Sequence, residues 1–202
     1  MRSPLAPFLA APLLMTTLLA CRVDEPSPET KPAAAETYQP LAPAPGRFVS
    51  ADGRISVPIP AGDGWECLEE QHGEGSAAAV AVRCRRENPR ELLFFSAKTH
   101  RQPVEQRADA ETVLMTLYRT DNESFFDTVD YVHSGPASLA GAPGWEAELR
   151  ASHARLGEVR KRERLSVIAD RIYSISAEGQ PEYWQQHQAA VEAWFADVQF
   201  AR

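Results

Sequence analysis

RIYSISAEGQPEYWQQHQAAVEAWFADVQF, Arg171 to Phe200, is the stretch whose reading decides the fold. RIYSISAEG follows a turn at Asp170-Arg171 and sets Ile172, Tyr173 and Ile175 among polar residues, so it reads as a strand. At Gln180-Pro181 the period changes. Pro181 suits a first helical position, where its missing N–H has no intrahelical bond to lose. Beyond it Trp184, His187, Val191, Trp194, Phe195 and Val198 recur at three- and four-residue steps, the spacing of one helical face. The stretch predicts a strand feeding an amphipathic C-terminal helix. Its tryptophan stripe is core; a role in stacking a cofactor is not needed to explain it.

Upstream the same alternations recur. GRISVPIP (53–60) sets Ile55, Val57 and Ile59 against polar or proline positions, and Pro58 and Pro60 mark an edge or a strand end. GWECLEE (64–70) and AAAVAVRCRRE (77–87) are strand-like and flank the turn-like HGEGS (72–76). After the break at Asn88-Pro89, ELLFFSAK (91–98) has the short apolar run of a central strand. ADAETVLMTLY (108–118) puts Val113, Leu114, Leu117 and Tyr118 on one helical face, with Asp109 placed to cap it. DTVDYVHS (127–134) is again a strand; Gly135-Pro136 and Gly141 to Gly144 read as turns. WEAELRASHA (145–154) and EVRKRERLSVIA (158–169) flank Arg155-Leu156-Gly157 as a hairpin.

Strands, one helix, several antiparallel strands and a last helix make an α+β fold: an antiparallel β-sheet covered by helices, including the amphipathic C-terminal one. No parallel βαβ alternation and no internal repeat is visible in that order. GRISVPIPAGDGWE (53–66) and RIYSISAEGQPEYWQQHQAAVEAWFADVQF resemble the two ends of the PsbP/DcrB-like superfamily. There an early strand with a Pro and a Trp opens the sheet, and a Tyr-x-Ile strand leads into a C-terminal helix packed on it. The resemblance implies a noncatalytic partner of a larger assembly, since most members are of that kind and several bacterial ones are lipoproteins. It implies no catalytic residues.

The chain begins Met1-Arg2-Ser3, then runs apolar from Leu5 to Ala20, broken by Pro7 and Pro12. That is too short for a lasting span, which needs about 20 apolar residues, and has the charged start, apolar middle and small-residue end of an export signal. Leu18-Leu19-Ala20-Cys21 resembles a bacterial lipobox. The resemblance implies lipidation at Cys21: the thiol takes a diacylglycerol, the chain is cut before it, and the new amine is acylated. Two or three acyl chains anchor stably where one gives marginal binding. Arg22 after Cys21, where an Asp would signal inner-membrane retention, points to the outer membrane, facing the periplasm or the cell surface. Arg22 to Gly46 carries Pro26, Pro28, Pro32, Pro40, Pro43 and Pro45 and almost no large apolar residue, the composition of an extended tether. The organisation expected is a signal peptide over 1–20, a lipidated cysteine with a proline-rich tether over 21–46, and one α+β domain over 47–202.

Cys67 and Cys84 lie on the strands either side of HGEGS, with their midpoint at Gly75-Ser76, so a symmetrical hairpin makes them face each other. In an oxidising compartment this favours a structural disulfide over metal ligation or a redox pair, which prefer Cys-x-x-Cys spacing.

The remaining candidates for chemistry are sparse. His72, His100, His133, His153 and His187 form no His-x-x-x-His or Glu-x-x-His setting, so no metal or other cofactor is implied. HGEGS lacks the closing glycine of an esterase Gly-x-Ser-x-Gly, and a turn explains its glycines. Arg160, Arg162 and Arg164 would project from one strand face, as an anion patch or, opposite Glu146 and Glu148, as a solvated salt-bridged face. The formal charge of −7 argues against nucleic acid as a partner. Two functions follow from the whole. One is a noncatalytic interaction, scaffold or assembly factor, held in the membrane by its lipid anchor and bound to another envelope protein. The other is a periplasmic or surface module that binds a small apolar or anionic ligand in a cleft between sheet and helix.

Overall fold

The computed structural model describes residues 38–72, 79–86, 92–102 and 107–202, all in the compact unit Ala35–Arg202. In chain order the strands are β1 (Arg47–Val49), β2 (Ile55–Pro58), β3 (Trp65–His72), β4 (Ala79–Arg86) and β5 (Leu93–Arg101). A helical passage follows: α1 (Ala110–Thr112), a π-helical segment (Val113–Tyr118) and α2 (Arg119–Phe125). Then come β6 (Thr128–Leu139), β7 (Ala142–His153), β8 (Gly157–Ile168), β9 (Arg171–Gly179), α3 (Pro181–Gln186), α4 (Gln188–Asp197) and β10 (Gln199–Phe200). Seven strands form one antiparallel sheet in the order β3-β4-β5-β9-β8-β7-β6, and three form a small one in the order β1-β2-β10. The architecture is the expected α+β one.

Side chains alternate across a strand, so each strand of the large sheet serves two layers. On the inner face Val82, Phe95 and Ile175 pack under Trp184, Val191 and Trp194 of α3 and α4, with Ile55 and Phe200 of the small sheet closing one side. Phe95 and Trp194 meet with ring centroids 5.0 Å apart. Trp194 is fully buried, and truncating such a side chain to alanine costs about 3–5 kcal/mol. On the outer face Val113 and Leu114 seat on Ala147, Leu165 and Ile172, while Phe126 packs with Leu149, Ala151 and Val159. The outer helix thus covers the β8–β7 side; on β3, β4 and β5 that face is open around Leu68, Arg83, Arg85 and Phe94, whereas Ala81 on the same face is buried.

Asp109 caps the outer helix as expected, its carboxylate accepting from the Thr112 N–H at 2.8 Å, and that bond holds its pKa below the ordinary carboxylate value. The C-terminal stripe is also there, with two differences. The helix breaks at His187 (φ −109°, ψ 24°), and the chain returns to a strand at Gln199, where Phe200 pairs with Ile55. The break lets the His187 ring meet Trp65 edge-on while Trp184 and Val191 both keep facing the sheet.

Gly135-Pro136 is not a turn. Both lie inside β6, opposite Glu146 and Trp145; β6 is an edge strand, so the N–H that proline lacks is not missed by a neighbour. The reversal comes at Ala140-Gly141, both at positive φ (53° and 67°), the geometry of a two-residue hairpin between Leu139 and Ala142. Gly144 also lies in a strand, because the Leu165 carbonyl occupies the space a Cβ would take. The expected hairpin around Arg155 to Gly157 is present, with Gly157 at φ 76°.

Contacts with the folded unit already begin in the stretch read as tether. Tyr38 Oη donates to the Asp52 carbonyl at 2.7 Å, the Leu41 N–H bonds the Gly53 carbonyl at 2.9 Å, and Arg54 lies over the Tyr38 ring. The signal peptide, Cys21 and most of the proline-rich stretch lie outside the described residues. Among the described residues no helix is long and apolar enough to cross a membrane.

Candidate functional site

Where the bare part of the outer face meets the outer helix, a cleft opens. Its floor comes from the alternation of β5, which sends Phe94, Ser96, Lys98 and His100 to this face. On β9 the register sets Glu178 opposite Phe94, Ser176 opposite Ser96 and Ser174 opposite Lys98; on β4 Arg83 lies opposite Ser96. The wall is built from Leu117, Tyr118, Asp121, Asn122 and Phe125, which share one side of the helix. Two hollows of about 490 and 450 Å³ share Arg83, Ser96, Asp121, Asn122, Lys161 and Ser176 and form one cleft. Each is in the size range of small-molecule sites.

Polar bonds fix the wall to the floor. Tyr118 Oη donates to Ser174 Oγ at 3.0 Å, and burial pushes its phenol to about 12, so it stays a donor. Asn122 donates from Nδ2 to Glu163 Oε2 at 3.1 Å and accepts at Oδ1 from Lys161 Nζ at 2.7 Å. Lys161 bonds Glu163 and lies 3.6 Å from Glu178. Burial works against its charge, but the two carboxylates outweigh that and raise its pKa above the ordinary lysine value. The Arg119 N–H reaches back to the Leu114 carbonyl, one residue beyond an α-helical bond, which widens the helix where it overhangs the floor.

The two ends of the cleft differ. Phe94 and Phe125 flank one end, and Phe125 stacks on His153 with centroids 5.1 Å apart. Lys98, His100, Tyr118 and Ser174 line the other. The His100 imidazole is held down to about 4 by burial first, then by Lys98 and Arg171, and is neutral at pH 7. The arrangement can hold a ligand by hydrogen bonds and charge.

Of the residues singled out from sequence, Cys67 and Cys84 are directly opposite in the β3–β4 hairpin and disulfide-bonded. Cys21 and residues 73–78, which take in all of HGEGS (72–76) except His72, lie outside the described residues. Arg160, Arg162 and Arg164 do share a face, with Glu148 and Glu146 as partners at 2.9, 3.1 and 2.6 Å. The guanidiniums lie under the C-terminal helices, Arg160 over Trp184 and both Arg162 and Arg164 over Phe195. Arg162 and Arg164 are thereby largely covered, while the Arg160 side chain stays 41% exposed, so the face is salt-bridged as expected and solvated only towards Arg160. Among the described residues no three His, Cys, Asp or Glu side chains gather to hold a metal ion. A cleft between sheet and helix was expected as the alternative, but none of its lining residues was singled out as binding from sequence. Its only local signal is the alternation in FFSAKTH, 94–100, which the apolar run before it masks.

No protein-family model matches the chain, and no curated protein matches its sequence. Solved structures do. The cyanobacterial PsbP protein (CyanoP) of Synechocystis superposes with a TM-score of 0.54 at 11% identity, covering 86% of this chain and 99% of that one. LpqN of Mycobacterium tuberculosis, a protein involved in cell envelope biogenesis, superposes at 0.51 and 14% identity, covering 77% of this chain and 90% of that one. The fold of the described residues is therefore the one these two proteins have, which is the fold that the resemblance of its two end motifs implies.

Proposed function

We propose that this chain is a noncatalytic, lipid-anchored protein of the cell envelope, held by acyl chains on Cys21 at the outer membrane, that docks a second envelope protein. The observation that carries the docking is the open part of the outer face of the β3–β4 hairpin around Leu68. Leu68 is 41% exposed there, between the cross-strand pairs Glu66–Arg85 and Glu70–Arg83, each at 3.3 Å. β3 is the sheet edge, and the disulfide clamps it to β4, so the platform is pre-organised. Arginines around an apolar centre are a composition enriched in interfaces. A second copy fits poorly, because antiparallel pairing of β3 with itself about Leu68 sets Glu66 against Glu70. The leader-like stretch before Cys21 and the fold shared with LpqN support an envelope setting.

A photo-crosslinking residue at position 68 of the full-length protein in its native membranes tests this, with the exposed position 111 as control. The expected result is one stoichiometric protein adduct from 68 and none from 111, lost on Leu68→Asp in a chain crosslinked at 85. An adduct pattern equal at both positions, or none at 68, counts against docking through this face. A second reading, binding of a small ligand, is favoured by the cleft beside α2.

A further inference from the structure

We propose that the cleft binds an amphiphile with one anionic head, carboxylate or phosphate, its head at Lys98 and its apolar tail between Phe94 and Phe125. This rests on the ligand-binding reading and names the ligand class. It is independent of docking at the β3–β4 hairpin.

The charges of the cleft decide the head. Arg83, Lys98 and Lys161 face it, as do Asp121, Glu163 and Glu178. Lys161 is already held by Glu163, Glu178 and Asn122, and Arg83 by Glu70. Lys98 has no salt bridge to any acid among the described residues, and it is half-buried on the floor, where a charge is less screened than at the lip. Around it stand donors: Ser174 across the strand pair, Ser96 beside it, and the neutral His100, whose buried Nδ1 has no hydrogen-bond partner among the described residues. Asp121 sits exposed on α2 at the lip, the one acid of the cleft without an ion pair among the described residues.

The tail follows from the other end. Phe125 on the helix wall is 54% and Phe94 on the floor 38% exposed, and both line the same hollow. From Phe94 to Lys98 the strand runs about 13 Å at roughly 3.3 Å per residue, room for a medium-length alkyl chain along the cleft. Two exposed rings lining one hollow lose contact with water when an apolar chain lies against them.

The test is calorimetric titration of the folded domain with decanoate, decyl phosphate, inorganic phosphate and decyl maltoside, each below its micelle concentration, with His100 followed by NMR. Both decyl anions are expected to bind, inorganic phosphate and decyl maltoside at least about tenfold more weakly, and the His100 titration to move up towards the ordinary imidazole value. Lys98→Gln should weaken decyl phosphate about tenfold, as losing a charge-assisted hydrogen bond does. Asp121→Asn should strengthen it, because it removes a repelling charge and no bond. Binding of inorganic phosphate as tight as decyl phosphate overturns the tail. Equal binding of the maltoside with no effect of Lys98→Gln overturns the head but leaves the ligand site. Reversed signs at Lys98 and Asp121 mean that the anionic head does not sit at Lys98 and overturn the proposal. No binding by any probe overturns both it and the ligand reading. Decanoate against decyl phosphate separates the two head chemistries.

Discussion

Lys161 and Glu163, two positions apart on β8, face the same side of the sheet and bond each other, with the Asn122 amide bridging both ends of the pair. Glu163 is 4% exposed. A buried pair of this kind is weak evidence of net stability, yet removing one partner strands a charge and costs about 3–5 kcal/mol. Glu163→Leu should therefore lower the urea midpoint sharply, and Lys161→Met in the same background should restore most of the loss. Two equal and additive losses would show that the pair is not coupled.

The Cys67–Cys84 bond ties an edge strand to its only neighbour in the large sheet. For a sequence separation of 17 residues, loop-closure entropy gives a stabilisation of about 3 kcal/mol. Replacing both cysteines with serine should cost that much in chemical unfolding. Amide exchange should rise first in β3, while β8 and β9 at the sheet centre keep their protection. Uniform loss of protection across the sheet would contradict a local clamp.

At Gly144 the neighbouring backbone of β8 leaves no room for a side chain. A Cβ there meets the Leu165 carbonyl, which is backbone and cannot swing aside. Gly144→Ala should cost about 1–3 kcal/mol, the range of a forced overpacking, and shift the amide resonances of Leu165 and Ser166. Gly135→Ala, on the same hairpin but in ordinary contact with the His133 ring alone, should be nearly neutral.

What the sequence made legible follows the range of the interaction behind each element. Ile172, Tyr173 and Ile175, then Trp184 to Val198, carry their periods locally, so the last strand and helix could be placed from residues alone. The cysteine pair was legible because a hairpin is symmetrical about its turn. Gly135-Pro136 misled, because an edge position that tolerates proline is defined by which strand lacks a neighbour, and only the assembled sheet shows that. The arginines of β8 were placed on the right face with the right partners, but the rings that stack on them arrive from residues 184–195. The cleft is the extreme case: Lys98, Tyr118, Asn122, Lys161 and Ser174 come from separate elements, and no spacing along the chain links them.

His100 gives the fold an acid-side weakness whose sign is fixed by its environment. Its ordinary pKa near 6.5 is brought down to about 4 by burial, with Lys98 and Arg171 adding repulsion; Glu163 and Asp121 face the same cleft and act the other way. Between those two values the unfolded chain binds a proton that the folded one refuses. Stability must then fall as pH drops from about 6.5 to 4, and its dependence on His100 must vanish above that window. His100→Asn, which cannot take up the proton, should flatten the fall in urea midpoint across pH 6.5 to 4 and leave the midpoint at pH 8 changed only by the lost packing. The carboxylates titrate in part of the same range, so the quantity to compare is the difference between wild type and variant at each pH. A difference that stays constant from pH 8 to pH 4 would mean that His100 protonates as freely in the folded protein as outside it.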